Sequence, residues 1–403
     1  MTTPGELIAR YTAGERFFAE VHLAHADLRD ARLKEANLRS ANFTNAVLTG
    51  ADLRGADLEG AMLEGANLEG ARLTGANLEG AKIVDAKLAD ADLSCGRLCG
   101  AILDGVDLSG ADLTGADLTG ASLVRVNLGG ADLSSADLSY ANLYLADLTA
   151  ASLKESTLDG TTIDQASLVT TRLTSAKLEY CYLGTSVLCN VDLSPFCRAK
   201  INHTGESFVD FRSIVQSVRE PRLKDFLRGT GMPDVFVEYM VDCAKSLSPE
   251  LVFSMLQSTF ISYGGPDEAF AWKLNDALQK RGVTTFFFKE HATPGDKLHR
   301  VMRKGVNEHD RTILICSESS LQRAGLLNEL EETLAREARD GGRPYLIPVR
   351  LDDYVINGWK PKDPDVAQAV RDRVIADFRD HEDPARFDAE LAKLINALKK
   401  PGP

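Results

Sequence analysis

Residues 51–80 read ADLRG ADLEG AMLEG ANLEG ARLTG ANLEG, and this five-residue pattern continues in both directions, from Val21 to Pro195. Its central position holds Leu, Ile or Phe in every unit from Leu23 to Leu193. In an α-helix, five residues turn through about 500°, so successive leucines would spread around the whole helix. In a strand, an odd period sends them to opposite faces. Neither element buries all the leucines on one side.

A coil that turns a corner every five residues does bury them all. The central Leu and the small residue two positions earlier, such as Ala51 and Leu53, would both face the axis of this coil. The small residue leaves room for the neighbouring leucine at each corner. The period therefore predicts a solenoid that is stabilised by stacking each coil on the next.

In these motifs the chain resembles the pentapeptide-repeat family, whose members form a right-handed, four-sided parallel β-helix. The resemblance covers residues 21–195. Residues 5–18 have the apolar spacing of a short helix, so we expect residues 1–20 to form a helical cap on the first coil. After Pro195 the period stops, and residues 196–256 are predicted to be a helical connector.

The repeat region is the acidic part of the chain. Residues 1–195 hold 15 Lys and Arg against 27 Asp and Glu, a net charge of −12 out of −13 for the whole chain. Such a surface repels nucleic acid and lipid head groups and attracts basic partners. We interpret the frequent Asp or Asn before each central residue as bonded to backbone at the turns. The alternative is an acidic rod that mimics DNA and acts on a topoisomerase, as some pentapeptide-repeat proteins do.

The rest of the composition predicts a cytoplasmic protein. No stretch approaches the roughly 18 apolar residues of a membrane helix. The seven cysteines lack paired CxxC spacing and accompanying histidines, so neither a disulfide framework nor a metal site is expected.

From Ser258 the pattern changes to alternating strands and helices. The predicted strands are STFISY, VTTFFF, RTILICS and PYLIPVRL, with helices between them. This alternation predicts an α/β domain over residues 257–400, with a parallel sheet whose ligands bind at the carboxyl ends of the strands. No GxGxxG loop or P-loop occurs in this domain.

The order FISYGGPDEAF, TPGDKL, ILICSESSL and NELEETL resembles the Toll/interleukin-1 receptor (TIR) domain family, in its bacterial branch. The resemblance implies a flavodoxin-like sheet and cleavage of the nicotinamide–ribose bond of NAD+, with NAD+ as substrate and no cofactor. By position it assigns the catalytic glutamate to Glu329. It assigns the nucleotide site to Tyr263, Gly264, Gly265, His291 and Gly295.

Periodicity alone gives a different interpretation of Glu329. Leu326, Leu330 and their neighbours form an apolar helix stripe, and Glu329 falls off it, as do Glu331 and Glu332. Such glutamates are ordinarily solvated charge. Asp267 is interpreted as the cap of the domain's first helix.

Two positions depart from the family pattern. Gly325 stands where many relatives have tryptophan, and Phe288 stands where an acidic residue is usual. We therefore expect an NAD+ glycohydrolase whose activity is weak or depends on activation. The resemblance also implies self-association through TIR domains, and the rod or connector is a further candidate surface. The alternative is a non-enzymatic adaptor that acts only by binding other TIR domains. The sequence identifies no trigger.

Overall fold

The computed structural model describes residues 2–247, 258–281, 283–286, 311–339, 342, 344–361, 363–373 and 376–399. The chain divides into two compact units, Met1–Ser246 and Leu247–Pro403. No helix in these described ranges combines the length and apolar character needed to span a membrane.

The first unit is the predicted right-handed, four-sided parallel β-helix. Parallel bridges join each outward residue to the one 20 positions later, from Phe17↔Asn37 to Ser167↔Val187. Twenty residues are four five-residue units, so each unit forms one side of a coil. Backbone bonds such as Leu53 N–H to the Arg72 carbonyl, at 2.8 Å, connect successive coils. The ladder satisfies backbone groups that the flat sides would otherwise leave without partners.

The interior holds the two inward positions of every unit. In the ADLRG unit, Ala51 and Leu53 are both almost completely buried. The fifth residue turns the corner with a positive φ, +67° at Gly50 and +56° at Thr170. This region costs a residue with a Cβ about 1–2 kcal/mol, which explains why glycine is so frequent there.

The aspartates and asparagines of the repeat bond to the backbone, as predicted. The Thr114 N–H donates to Asp112 Oδ1 at 2.9 Å, and the Glu69 N–H donates to Asn67 Oδ1 at 3.0 Å. Each side chain thus holds the turn two residues ahead of it.

The N-terminal helix, α1 (Pro4–Thr12), is shorter than the predicted 5–18. A capping box between Thr3 and Glu6 begins it, and Gly14, with φ +98°, follows its end. Phe18 is already buried, and its N–H donates to the Asn37 carbonyl at 2.7 Å. The first coil therefore begins earlier than the leucine pattern indicates.

The coils also continue past Pro195, where the sequence period stops. Two strands of this last turn pair in parallel with earlier ones, Asn202↔Tyr182 and Phe208↔Val187. Backbone stacking does not need the side-chain period, so the sequence could not show this turn. The strands are β1 (Thr162–Ile163), β2 (Tyr182–Leu183), β3 (Val187–Leu188), β4 (Asn202–His203) and β5 (Phe208–Val209). The helices are α2 (Ser194–Arg198), α3 (Phe211–Gln216), α4 (Leu223–Gly229) and α5 (Asp234–Ser246).

The second unit has a five-stranded parallel sheet flanked by helices. Its strands are β6 (Ser258–Ser262), β7 (Thr284–Phe286), β8 (Arg311–Cys316), β9 (Leu346–Arg350) and β10 (Ala376–Asp377). A 3-10 turn (Gly265–Asp267) precedes α6 (Glu268–Gln279), α7 (Glu318–Leu321), α8 (Ala324–Arg339), α9 (Tyr354–Asn357), α10 (Pro364–Arg371) and α11 (Pro384–Lys399). Two apolar clusters lie within this unit, one centred on Ile261, Leu274 and Leu391, the other on Leu314, Leu330 and Trp359.

The strand order is β10-β9-β8-β6-β7. Counted along the unit this is 5-4-3-1-2, the flavodoxin-like order, which confirms the predicted fold class. The two-residue strand β10 was missed because it is too short to give a pattern. The helix expected between the second and third predicted strands lies outside the described residues.

Candidate functional site

The strand order places the candidate site. In a flavodoxin-like sheet the order reverses between the first and third strands, here β6 and β8, and ligands bind beside the carboxyl ends at that point. β6 ends at Ser262 and leads into Tyr263, Gly264 and Gly265, whereas β8 ends at Cys316 and leads into α7 and α8. The two sequence segments that carry most of the predicted site residues therefore meet here.

Glu329 lies at this edge and is buried, with 6% of its surface exposed. Ser262 Oγ, at the end of β6, donates a hydrogen bond to Glu329 Oε2 at 2.5 Å. The expectation of a solvated side chain, drawn from periodicity, was therefore wrong for this residue. The buried face of α8 is wider than the leucine stripe. Besides Leu330 it includes Thr333 and Glu329. Glu331, by contrast, is exposed as predicted.

The surroundings of Glu329 disfavour its charge. Burial raises the pKa of its carboxyl from 4.5 to about 7, while the hydrogen bond from Ser262 opposes the shift. Near neutral pH this carboxyl therefore exchanges between ionised and protonated forms. Carboxyls with strongly perturbed pKa values are candidates for catalysis.

Tyr263 follows Ser262 and is within electrostatic range of this carboxyl. Its ring is partly buried against the core, and burial together with the charges of Glu268 and Glu329 raises the pKa of its phenol to about 12. The phenol is therefore neutral in the physiological range.

Asp267 joins the two segments of the site. Its carboxylate accepts hydrogen bonds from the hydroxyls of Ser317, Ser319 and Ser320 after β8. The prediction that Asp267 caps the first helix was wrong, since its side chain makes no capping bond to α6. The three hydroxyls attract the carboxylate to the β8 side, and they hold the Gly265–Asp267 turn against α7.

Gly264 fits closely in this network. Its N–H donates to Ser320 Oγ at 2.8 Å, and an added Cβ would lie 2.6 Å from that oxygen and 2.8 Å from Ser320 Cα. A side chain here would displace the segment that follows β6.

We expect Gly264→Ala to destabilise the second unit by about 2 kcal/mol, because the new Cβ overlaps backbone atoms that must move. Gly325→Ala is the matched control, since its Cβ meets nothing within 4 Å. Urea unfolding followed by tryptophan fluorescence measures both variants, because Trp272 and Trp359 are the only tryptophans and both belong to this unit. Equal midpoints for the two variants would contradict the close fit.

The other predicted positions divide into two groups. Gly265 is exposed, and its Cβ position lies 3.0 Å from the Arg323 guanidinium. His291, Gly295 and Phe288 lie outside the described residues. Sequence reasoning missed Ser262 and the serines after β8. The signal for them in the sequence was that polar residues end one buried strand and directly follow another.

Two family models match different parts of the chain. A family model described as a TIR domain matches residues 259–395, and one described as pentapeptide repeats matches eight copies between residues 18 and 165. None of the curated proteins matches the chain. The chain therefore combines pentapeptide repeats with a TIR domain, as its sequence motifs indicated.

The similar solved structures include several pentapeptide-repeat proteins. HetL, involved in heterocyst differentiation regulation in the cyanobacterium Nostoc sp. strain PCC 7120, is 32% identical, with 48% of this chain and 90% of HetL covered and a TM-score of 0.21. Full-length QnrB1, a plasmid-mediated fluoroquinolone resistance protein, is 20% identical, with 50% and 98% covered and a TM-score of 0.29. Rfr23 from the cyanobacterium Cyanothece 51142 is 24% identical, with 34% and 90% covered and a TM-score of 0.22.

Proposed function

We propose that this protein is an NAD+ glycohydrolase in which the TIR domain cleaves the nicotinamide–ribose bond. The observation that carries the proposal is the buried Glu329 carboxyl, held by Ser262 at the switch point of the sheet. Among the described residues no cation pairs with this carboxyl, and burial of an unpaired glutamate is uncommon and costly. The proposal also rests on the TIR family, which includes members that cleave NAD+.

The chemistry requires an anion rather than a strong acid. Breaking the bond between ribose C1′ and the nicotinamide nitrogen leaves the electron pair on nitrogen, so nicotinamide departs as a neutral molecule. The ribose ring gains positive charge, and water then adds its oxygen to C1′ and loses a proton. An ionised Glu329 against the ring or its hydroxyls would stabilise this transition state more than the ground state.

The carboxyl must be ionised for this role. Since its pKa is about 7, the rate of nicotinamide release is expected to rise as the pH increases from 6 to 8. A rate that falls over this range would instead require the protonated acid.

We further propose that activity depends on assembly. TIR domains commonly self-associate, and the repeat rod would serve as scaffold or sensor. The test is nicotinamide release from NAD+ by the full chain over a series of protein concentrations. A rate that rises more than linearly with protein supports an assembled enzyme, whereas a strictly linear rate contradicts the requirement for assembly. No release at any concentration, in a protein that does not bind NAD+, contradicts the enzymatic proposal.

Gly325 suggests a gain-of-function test. It lies on the first turn of α8, is exposed, and has open space where a side chain would begin. We expect Gly325→Trp to lower the KM for NAD+ by about tenfold, because an aromatic wall beside the site adds stacking area at this position.

Gly325→Ala is the matched control, since both variants replace a helix glycine with a residue of higher helix propensity. The alanine variant should leave KM unchanged. If both variants change KM equally, the effect belongs to the helix and not to the ring.

The same glycine favours a second candidate function, a non-enzymatic adaptor that binds other TIR domains. An exposed glycine provides no wall for a nucleotide at that point. In this case NAD+ at millimolar concentration would not raise the melting temperature of the assembled protein, whereas an enzyme with a site for NAD+ would be stabilised.

A further inference from the structure

Ser262 occupies a particular place in the candidate site. It is the last residue of β6, and its side chain is fully buried. β6 is an inner strand of the sheet that pairs with both β7 and β8, and Ser262 itself pairs with Leu314 of β8. The backbone of Ser262 is therefore fixed by the sheet. Its hydroxyl contacts the Glu329 carboxylate at 2.5 Å.

We propose that Ser262 is a positioning residue for Glu329, which holds the carboxylate in one orientation at the switch point and favours its ionised form. This inference rests on the proposed function of the site. A hydroxyl that donates to a carboxylate stabilises the charged form relative to the protonated one. Because the donor is anchored in the sheet and the acceptor is on a helix, the bond also fixes the distance between the two elements.

Among the described residues, no other charged group accounts for the raised pKa of Glu329. In the described part of the chain, burial and the Ser262 bond are the causes that act on its pKa. Within the described ranges, Tyr263, directly after β6, has a pKa that responds to the Glu329 charge. Further along α8, the Arg336 guanidinium stacks over the Tyr345 ring at 3.9 Å, and Glu337 pairs with Arg373. Of the groups that the structure describes, the Ser262 hydroxyl is thus the one that counteracts the effect of burial on Glu329.

The test compares three variants in the full chain. Ser262→Ala removes the hydroxyl, and Ser262→Thr retains it. Thr259→Val is the matched control, because Thr259 is buried on the same strand and its hydroxyl has no hydrogen-bond partner among the described residues.

The first measurement is the pH dependence of kcat for nicotinamide release. In Ser262→Ala the midpoint of the rise is expected to move up by about one pKa unit, the effect of losing one hydrogen bond to an ionised carboxylate. The rate would fall several-fold at pH 7 and approach that of the wild type at pH 9. Ser262→Thr and Thr259→Val should keep the wild-type midpoint. A Ser262→Ala profile with the wild-type midpoint would overturn the proposal.

The second measurement does not depend on activity. Carbon-13 NMR of glutamate carboxyls in the full chain, with the Glu329 signal assigned by its loss in Glu329→Gln, follows the titration of this group directly. The same upward shift is expected in Ser262→Ala, and an unchanged titration would overturn the proposal. If the wild type releases no nicotinamide, the enzymatic proposal fails while this titration still decides the role of Ser262. If Ser262→Ala does not fold, Ser262→Cys, with its weaker donor, should shift the titration in the same direction.

Discussion

Replacing Glu329 with glutamine is expected to reduce nicotinamide release by at least about 100-fold, which corresponds to about 2.7 kcal/mol of activation free energy. Glutamine has nearly the same shape but no negative charge, so it would not stabilise the positive charge that develops on the ribose. The matched control is Glu331→Gln, two residues away on the exposed side of α8, which should retain wild-type activity. Retained activity in Glu329→Gln would remove this residue from the mechanism.

The same variant should be more stable than the wild type at alkaline pH. The Glu329 carboxyl has an ordinary pKa of 4.5 when unfolded and about 7 when folded, so the folded chain binds more protons between these values. Stability from this group is therefore present below about pH 4.5 and is lost as the pH rises through 7. At pH 8 the difference is on the order of 3 kcal/mol in favour of glutamine. Lost activity together with higher stability would show that the loss is not caused by unfolding.

Glu337→Ala is expected to destabilise the TIR domain by about 3 kcal/mol. Glu337 is 4% exposed and lies two turns along α8 from Glu329. Its Oε1 accepts hydrogen bonds from the backbone N–H groups of Tyr345 at 2.7 Å and Leu346 at 2.9 Å, where β9 begins. Its Oε2 pairs with the Arg373 guanidinium at 2.5 Å. Alanine would leave two buried N–H donors and a partly buried cation without this partner.

Urea unfolding of the full chain, followed by tryptophan fluorescence, measures this effect. Glu331→Ala serves as the control, because it removes the same charge from an exposed position on the same helix. Its midpoint should match the wild type. A Glu337→Ala midpoint close to that of the control would mean that the buried pair contributes little to the domain's stability.

The sequence predicted the β-helix almost completely because each repeat contacts only its neighbours. A five-residue period fixes which residues point inward, and nothing distant in the chain changes that. The prediction failed only at the ends, at Phe18 and around Asn202, where the backbone continues the coil with side chains that lack the period. A pattern of side chains cannot report hydrogen bonds that involve the backbone alone.

The candidate site was less predictable because it is made by contacts between distant residues. The candidate catalytic role of Glu329 was inferred from a family resemblance, whereas the helix pattern alone indicated a surface residue. Its burial depends on the pairing of β6 with β8, which brings Ser262 to it across 67 positions of sequence. The same limitation applies to Asp267. Its position at the start of a helix predicts a cap, but its side chain accepts hydrogen bonds from serines some 50 residues away.

Because each coil holds 20 residues, the number of repeat units sets both the position of the C-terminal end along the axis and the direction that this end faces. Adding or deleting four units would move the helices at its C-terminal end along the rod by one strand spacing, about 4.8 Å, without rotating them. Adding or deleting a single unit would instead turn them by about a quarter of a revolution, because one unit is one side of a four-sided coil. Changes of repeat number can thus adjust distance and direction separately, and they leave every inward position filled.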